Sequence, residues 1–271
     1  MSESKVELDD YQASEYAVEF EDKSPQEVLE WALDKFHPKI SIACSLQAPD
    51  VTIMDMARKI NPDARVFVVD TGRLHEEDHD LMSELEEKYG INFEVYSPEP
   101  EHVHDMVKKY GINSIYDSVA LRFLCCQIRK VVPLMKSLKD LDAWITGLRR
   151  GQWASRYNLK KIEIDHEHQG IVKINPLADW TWDQVWDYIK ENEVPYNKLY
   201  DKGYKSIGCM PCTRPVEEDE NPRAGRWWWE EKAPKECGMH CSVEFGGFEK
   251  YERAILGQEE EKSEKEKSEE D

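Results

Sequence analysis

The chain has 271 residues, enough to bury one full core, alone or with a lid. It is 40% hydrophobic and 34% charged, a soluble globular balance, and no apolar run is long enough to span a bilayer. A net charge of −20 speaks against nucleic acid or an anionic membrane as a partner, and seven cysteines behind an acidic start with no signal-peptide core point to a reducing compartment, the cytoplasm.

In chain order, residues 1–23 are acidic and weakly patterned and read as a loosely held arm. Ser24-Pro25-Gln26-Glu27 is a capping box with proline at the first helical position, and Val28, Leu29, Ala32 and Leu33 follow at helical spacing. A β-rich run, Lys39 to Cys44, leads into Ser45-Leu46-Gln47-Ala48-Pro49-Asp50 and then a helix with Val51, Met54, Ala57 and Ile60 on one face. Strand, small polar turn and helix is the arrangement that aims backbone N–H groups at a phosphate, although Gly-Lys-Ser/Thr is missing.

A second strand, Arg65–Val69, ends in Asp70-Thr71-Gly72-Arg73, and helix 75–89 and strand 91–96 complete a β-α-β-α-β run. That pattern predicts a parallel sheet with ligands beyond the C-terminal strand ends. Residues 126–139 are helix-like apart from Pro133, which kinks or restarts the helix. A strand at 143–146 ends in Gly147-Leu148-Arg149-Arg150, so three strand ends offer small, hydroxyl or basic residues to one edge, as a nucleotide requires. Strands near 160–165 and 171–174 precede a second capping box, Thr181-Trp182-Asp183-Gln184, opening helix 181–192. Its Trp182, Val185, Trp186 and Ile189 read as core.

Two cysteine pairs stand out, Cys125-Cys126 and Cys209-x-x-Cys212. Two residues between thiolates let both sulfurs reach one metal centre, and a second pair completes a four-thiolate set. Spacing leaves zinc, an iron–sulfur cluster, a redox dithiol and unrelated buried thiols open, with weight on metal. Arginines gather between Arg122 and Arg226, either around a small anion or in ordinary salt bridges. Near the end, Lys235-Glu236-Cys237-Gly238-Met239-His240-Cys241 places cations beside Cys237 that favour its thiolate; a zinc site from Cys237, His240 and Cys241 is the rival reading. Gly225 and Gly238 flank the Trp227-Trp228-Trp229 run as expected points of flexibility. Residues 258–271 carry eight acids and three lysines, a composition expected to be disordered.

Four segments taken together resemble the sulfonucleotide reductases, the family of adenylylsulfate and phosphoadenylylsulfate reductases. They are Cys-Cys-x-x-Arg-Lys-x-x-Pro-Leu at 125–134, Cys-x-x-Cys-Thr-Arg at 209–214, Arg-Ala-Gly-Arg-Trp-Trp-Trp at 223–229 and Lys-Glu-Cys-Gly-Met-His at 235–240. The resemblance implies a Rossmann-like α/β fold, a parallel sheet with helices on both faces similar to the adenine nucleotide alpha hydrolases, plus a mobile catalytic C-terminal segment. It divides the chain into an arm (1–23), a nucleotide-binding domain with the iron–sulfur site (24–216), the catalytic segment (217–241) and the acidic tail (242–271).

By the same resemblance Cys125, Cys126, Cys209 and Cys212 hold a [4Fe–4S] cluster and Cys237 is the nucleophile. Lys130, Arg156, Arg223 and Arg226 meet the phosphosulfate, Ser45 with Asp70, Thr71 and Gly72 meets the nucleotide, and Gly147 and His240 join the substrate-binding set. The implied reaction is reduction of adenylylsulfate to sulfite and AMP in sulfate assimilation, with thioredoxin or glutaredoxin as reductant and the oligomeric state, a homo-oligomer included, left open. Phosphoadenylylsulfate reduction is the nearest alternative and a non-catalytic iron–sulfur or zinc scaffold a further one. An ATP-using sulfur-transfer enzyme should carry Ser-Gly-Gly-x-Asp-Ser, which is absent. The chain departs from the family at Gln47, where a glycine is usual, and at Trp153-Ala154-Ser155-Arg156, where Ser-Pro-Thr-Arg is usual.

Overall fold

The computed structural model describes residues 7–153 and 156–230, all within one compact unit. Six short, largely buried strands form one sheet: β1 Ile40–Ala43, β2 Arg65–Val69, β3 Glu94–Tyr96, β4 Ala143–Ile145, β5 Ile162–Asp165 and β6 Ile171–Ile174, in the order β3-β2-β1-β4-β6-β5. The first five positions run parallel, and β5 closes the edge antiparallel to β6, with Ile162 opposite Ile174. The expected parallel sheet is therefore mixed at one edge. Chain order reverses between β1 and β4, the switch point where open α/β sheets bind ligands.

Helices cover both faces because every parallel strand must be buried on both sides. On one face α2 (Pro25–Phe36), α3 (Ala48–Ile60), α4 (Glu76–Tyr89) and α8 (Trp182–Glu191) close the larger core around Leu29, Ile42, Ile53 and Leu85. Ser24 and Thr181 cap α2 and α8 through the two capping boxes that the sequence predicts. Val185 and Ile189 are buried, while Trp182 and Trp186 pack edge-on beside Tyr200 at the rim. On the other face α5 (Pro100–Tyr110), α6 (Val119–Cys126) and α7 (Val132–Leu138) return the chain from β3 to β4, and Leu134 and Leu138 pack on Phe67 and Trp144. Between α6 and α7 the helix widens into a π-turn, Gln127–Val131, so Pro133 falls in the first turn of α7, where its missing N–H costs nothing.

The N-terminal arm is not loose over its described part. Asp9 and Gln12 form a reciprocal cap on α1 (Asp10–Glu19), which buries Ala13 and Ala17 and lies along β5. Tyr16 and Phe20 stack on Trp31, with centroids at 4.8 and 5.0 Å. Among the described residues no helix is long and apolar enough to cross a membrane.

Candidate active site

The two cysteine pairs meet. Cys125 and Cys126 end α6, and Cys209 and Cys212 lie in the loop after α8 that closes over it; all four line one cavity with Arg73, Arg129, Lys130, Arg226 and Trp227. The loop is fixed at both ends. Met210 N donates to Arg73 O at 2.9 Å, Tyr116 OH donates to Pro211 O at 2.8 Å, and Thr71 Oγ1 lies 3.2 Å from Cys209 Sγ.

Burial raises the Cys125 and Cys212 thiols, the latter to about 11; Cys209 adds to both, against Arg129, Lys130 and Arg226. Buried thiols that push one another up are poor nucleophiles, which argues against a redox dithiol and suits a metal-held set. Among the described residues no three such ligands close on a single ion. Four thiols lining one cavity are nonetheless a donor set whose chemistry suits a thiolate-held metal group. Among the described residues the N–H groups of Arg129 Nε, Arg226 Nε and Trp227 Nε1 in this cavity are buried without a hydrogen-bond partner.

The arginines divide into two kinds. Arg122 donates in a fork to Glu230 (2.9 and 2.8 Å), Arg150 to Glu21 (2.6 and 2.8 Å) and Arg214 to Glu220 (2.9 and 2.8 Å). These are structural pairs. Among the described residues Arg129, Arg149 and Arg226 pair with no carboxylate although all three are buried, leaving their charge for an anion. Arg226 donates to Ile207 O at 3.2 Å and Arg129 to Thr71 O at 2.7 Å. Arg149 donates to Trp180 O at 3.0 Å, and its pKa is lowered by burial and by neighbouring Arg156.

The remaining expected residues fall in three places. Asp70 and Gly72 border a cavity of about 570 Å³ under α5, and Arg129 borders both cavities. Gly72 holds φ 65°, takes its amide bond to Asp70 Oδ1 at 2.8 Å, and lets Arg129 pass close by. Arg156 reaches Gln152 and Arg223 lies 5.8 Å from the Trp153 ring, so both attach to the loop after β4. Ser45 and Gly147 sit across the switch point from each other. Cys237 and His240 lie outside the described residues, as do Lys235 and Cys241.

Two expectations change. The turn after β1 does not leave its N–H groups open for a phosphate, because the Asp50 carboxylate fills it: Ser45 N and Ser45 Oγ donate to Asp50 Oδ2 at 3.0 and 2.5 Å. Nor is the chain loose from residue 217. Trp227 N donates to Cys212 O at 3.1 Å, Thr213 pairs with Arg226, and Gly225 is buried against Arg214 O, where a side chain would collide, so this glycine serves packing and not flexibility. The role of Asp50 and the Arg122–Glu230 pair escaped the sequence reading; a buried Asp in the first turn after an unglycinated loop is the one local signal of them.

The profile of the phosphoadenosine phosphosulfate reductase domain matches residues 39–215. The adenosine 5′-phosphosulfate reductase of Allochromatium vinosum is 45% identical over 74% of this chain and 78% of its own length. That of Burkholderia cepacia is 45% identical over 76% and 82%. The crystal structure of a phosphoadenylyl-sulfate reductase from Candida auris superposes with a TM-score of 0.66 at 32% identity, covering 76% of this chain and 98% of that one. With the paired cysteines and unpaired arginines on one edge of this sheet, the chain belongs to the phosphoadenosine phosphosulfate reductase domain family.

Proposed function

We propose that the protein reduces adenylylsulfate to sulfite and AMP in sulfate assimilation, in the cytoplasm, with a dithiol protein such as thioredoxin as reductant. The convergence of four cysteines with Arg129 and Arg226, which meet no carboxylate among the described residues, on one cavity carries this reading. The two bacterial relatives at 45% identity, both named for adenosine 5′-phosphosulfate, favour that nucleotide over its 3′-phosphorylated form.

Cys125, Cys126, Cys209 and Cys212 would hold a [4Fe–4S] cluster, which supplies local charge and structural closure where bound. Everything else is the work of side chains. Arg129, Lys130 and Arg226, with Arg149, Arg156 and Arg223 from the loop side, offset the charge of the phosphosulfate so that a thiolate can approach it. The Cys237 thiolate attacks the sulfate sulfur; the S–O bond of the anhydride breaks and AMP leaves with its electron pair. A thioredoxin thiolate then attacks Cys237 Sγ, sulfite leaves, and the second thioredoxin thiol closes the disulfide.

Intact-mass measurement after mixing with adenylylsulfate alone should show one sulfonate adduct, mapped to Cys237 and removed by reduced thioredoxin. Cys237→Ser should retain four irons and make no sulfite. An adduct elsewhere, turnover by Cys237→Ser, or stoichiometric zinc without iron and sulfide defeats the reading.

A further inference from the structure

The turn between β1 and α3 has the backbone of an anion site, and the chain occupies it itself. Asp50 stands in the first turn of α3 and is 6% exposed. Its carboxylate accepts from Ser45 N at 3.0 Å and Ser45 Oγ at 2.5 Å, and the backbone amides of Gln47 and Gly147 bond it as well. Gly147 belongs to the loop after β4, so Asp50 ties together the two loops that flank the switch point. A methyl group at Gly147 would overlap Asp50 Oδ1, which requires glycine there. No lysine or arginine among the described residues pairs with Asp50. A buried carboxylate without an opposite charge is costly even when hydrogen-bonded, and such groups concentrate where function demands them.

The polarity of Ser45 follows. Against an ionised carboxylate its hydroxyl must donate, and it already accepts from Gln47 Nε2 at 3.0 Å. Toward a ligand Ser45 Oγ therefore offers a lone pair and no proton. A second anion at this turn would meet a carboxylate in place of open N–H groups.

We infer that Asp50, in its ionised form, is a positioning residue for the nucleotide: it locks Ser45 to Gly147 and makes the β1 turn an acceptor for an uncharged hydrogen-bond donor on the nucleoside, leaving the phosphosulfate to the arginines. This rests on adenylylsulfate being the ligand. Of the titratable groups around Asp50, Cys44 at the end of β1 and Tyr200 after α8 feel its charge directly, and Asp78 with its neighbour His75 at the head of α4, and Arg149 after β4, lie beyond them. Burial raises Asp50 to about 6, so the ionised form is lost on modest acidification.

The test is calorimetric titration of adenylylsulfate into Cys237→Ser protein, which cannot turn it over, between pH 5 and 8. The ligand has no group that titrates in that range. Affinity should be constant above pH 7 and fall roughly tenfold per unit below a midpoint near 6. Asp50→Asn in the same background should bind at least about tenfold more weakly at pH 7.5 and show no midpoint, one lost charged hydrogen bond being worth that much. If Asp50→Asn does not fold, Ser45→Ala takes its place: weaker binding with the midpoint retained. A flat wild-type profile, or Asp50→Asn binding like wild type, overturns the role of Asp50 and leaves the proposed reaction standing. Absence of adenylylsulfate binding at pH 8 overturns the reaction itself.

Discussion

Glu230→Gln should destabilise the protein more than any surface charge change. Arg122, three residues before Cys125, is 1% exposed and stacks on the rings of Phe123 and Trp227 at 4.0 and 4.5 Å. Its guanidinium is joined to Glu230 by two bonds of 2.9 and 2.8 Å, both side chains being almost fully enclosed. Removing one partner of such a pair strands a buried charge and costs about 3–5 kcal/mol. That is a large part of the roughly 5–15 kcal/mol by which domains are stable. At about 2–4 °C per kcal/mol for a chain of this size, melting should fall by roughly 6–20 °C, read by circular dichroism at fixed iron content. Arg122→Met with Glu230→Leu should recover most of the loss, because two apolar groups leave no stranded charge. A Glu230→Gln melt within about 2 °C of wild type, or a double variant as unstable as the single one, would refute the argument.

Three further outcomes follow. Gly147→Ala should push Asp50 out of its seat and lower adenylylsulfate affinity while iron content stays normal; unchanged affinity would deny the close approach of Asp50. Gly208→Ala places a methyl group 2.5 Å from Arg226 Nη2, so KM should rise at unchanged melting temperature if Arg226 alone moves, and an unchanged KM removes Arg226 from the site. Asp50 is raised from 3.8 to about 6, so its contribution to stability is present below pH 3.8 and lost as pH rises through 6. That is about 3 kcal/mol at 1.36 kcal/mol per unit, and Asp50→Asn should lack this slope in urea unfolding between pH 4 and 6.

Much of the scaffold was readable because its signals are local. Apolar runs at 40–43 and 65–69 with helical periodicity between them specify β-α-β, and the boxes at Ser24 and Thr181 mark helix starts by contacts three residues apart. The helix at 10–19 was unreadable for the same reason in reverse: its small buried face, Ala13 and Ala17, makes sense only against β5. The helix at 100–110 hid its apolar Val103, Met106 and Val107 among histidines and charges. The antiparallel edge strand was legible as a strand but not in direction, since direction depends on which neighbour it meets.

For the site, the spacing of Cys125-Cys126 and Cys209-x-x-Cys212 put weight on a shared metal centre without excluding a redox dithiol or unrelated thiols, and the fold brings all four to one cavity. Only the tertiary structure decided which arginines are left without a carboxylate. Arg122 and Arg150 find their carboxylates 108 and 129 residues away, and Arg129, Arg149 and Arg226 find none among the described residues. The same holds for Asp50, whose seat is built from β1 and the distant Gly147 loop. Periodicity, caps and ligand spacing act over a few residues and are written along the chain, whereas charge pairing acts through space and exists only once distant segments have packed together.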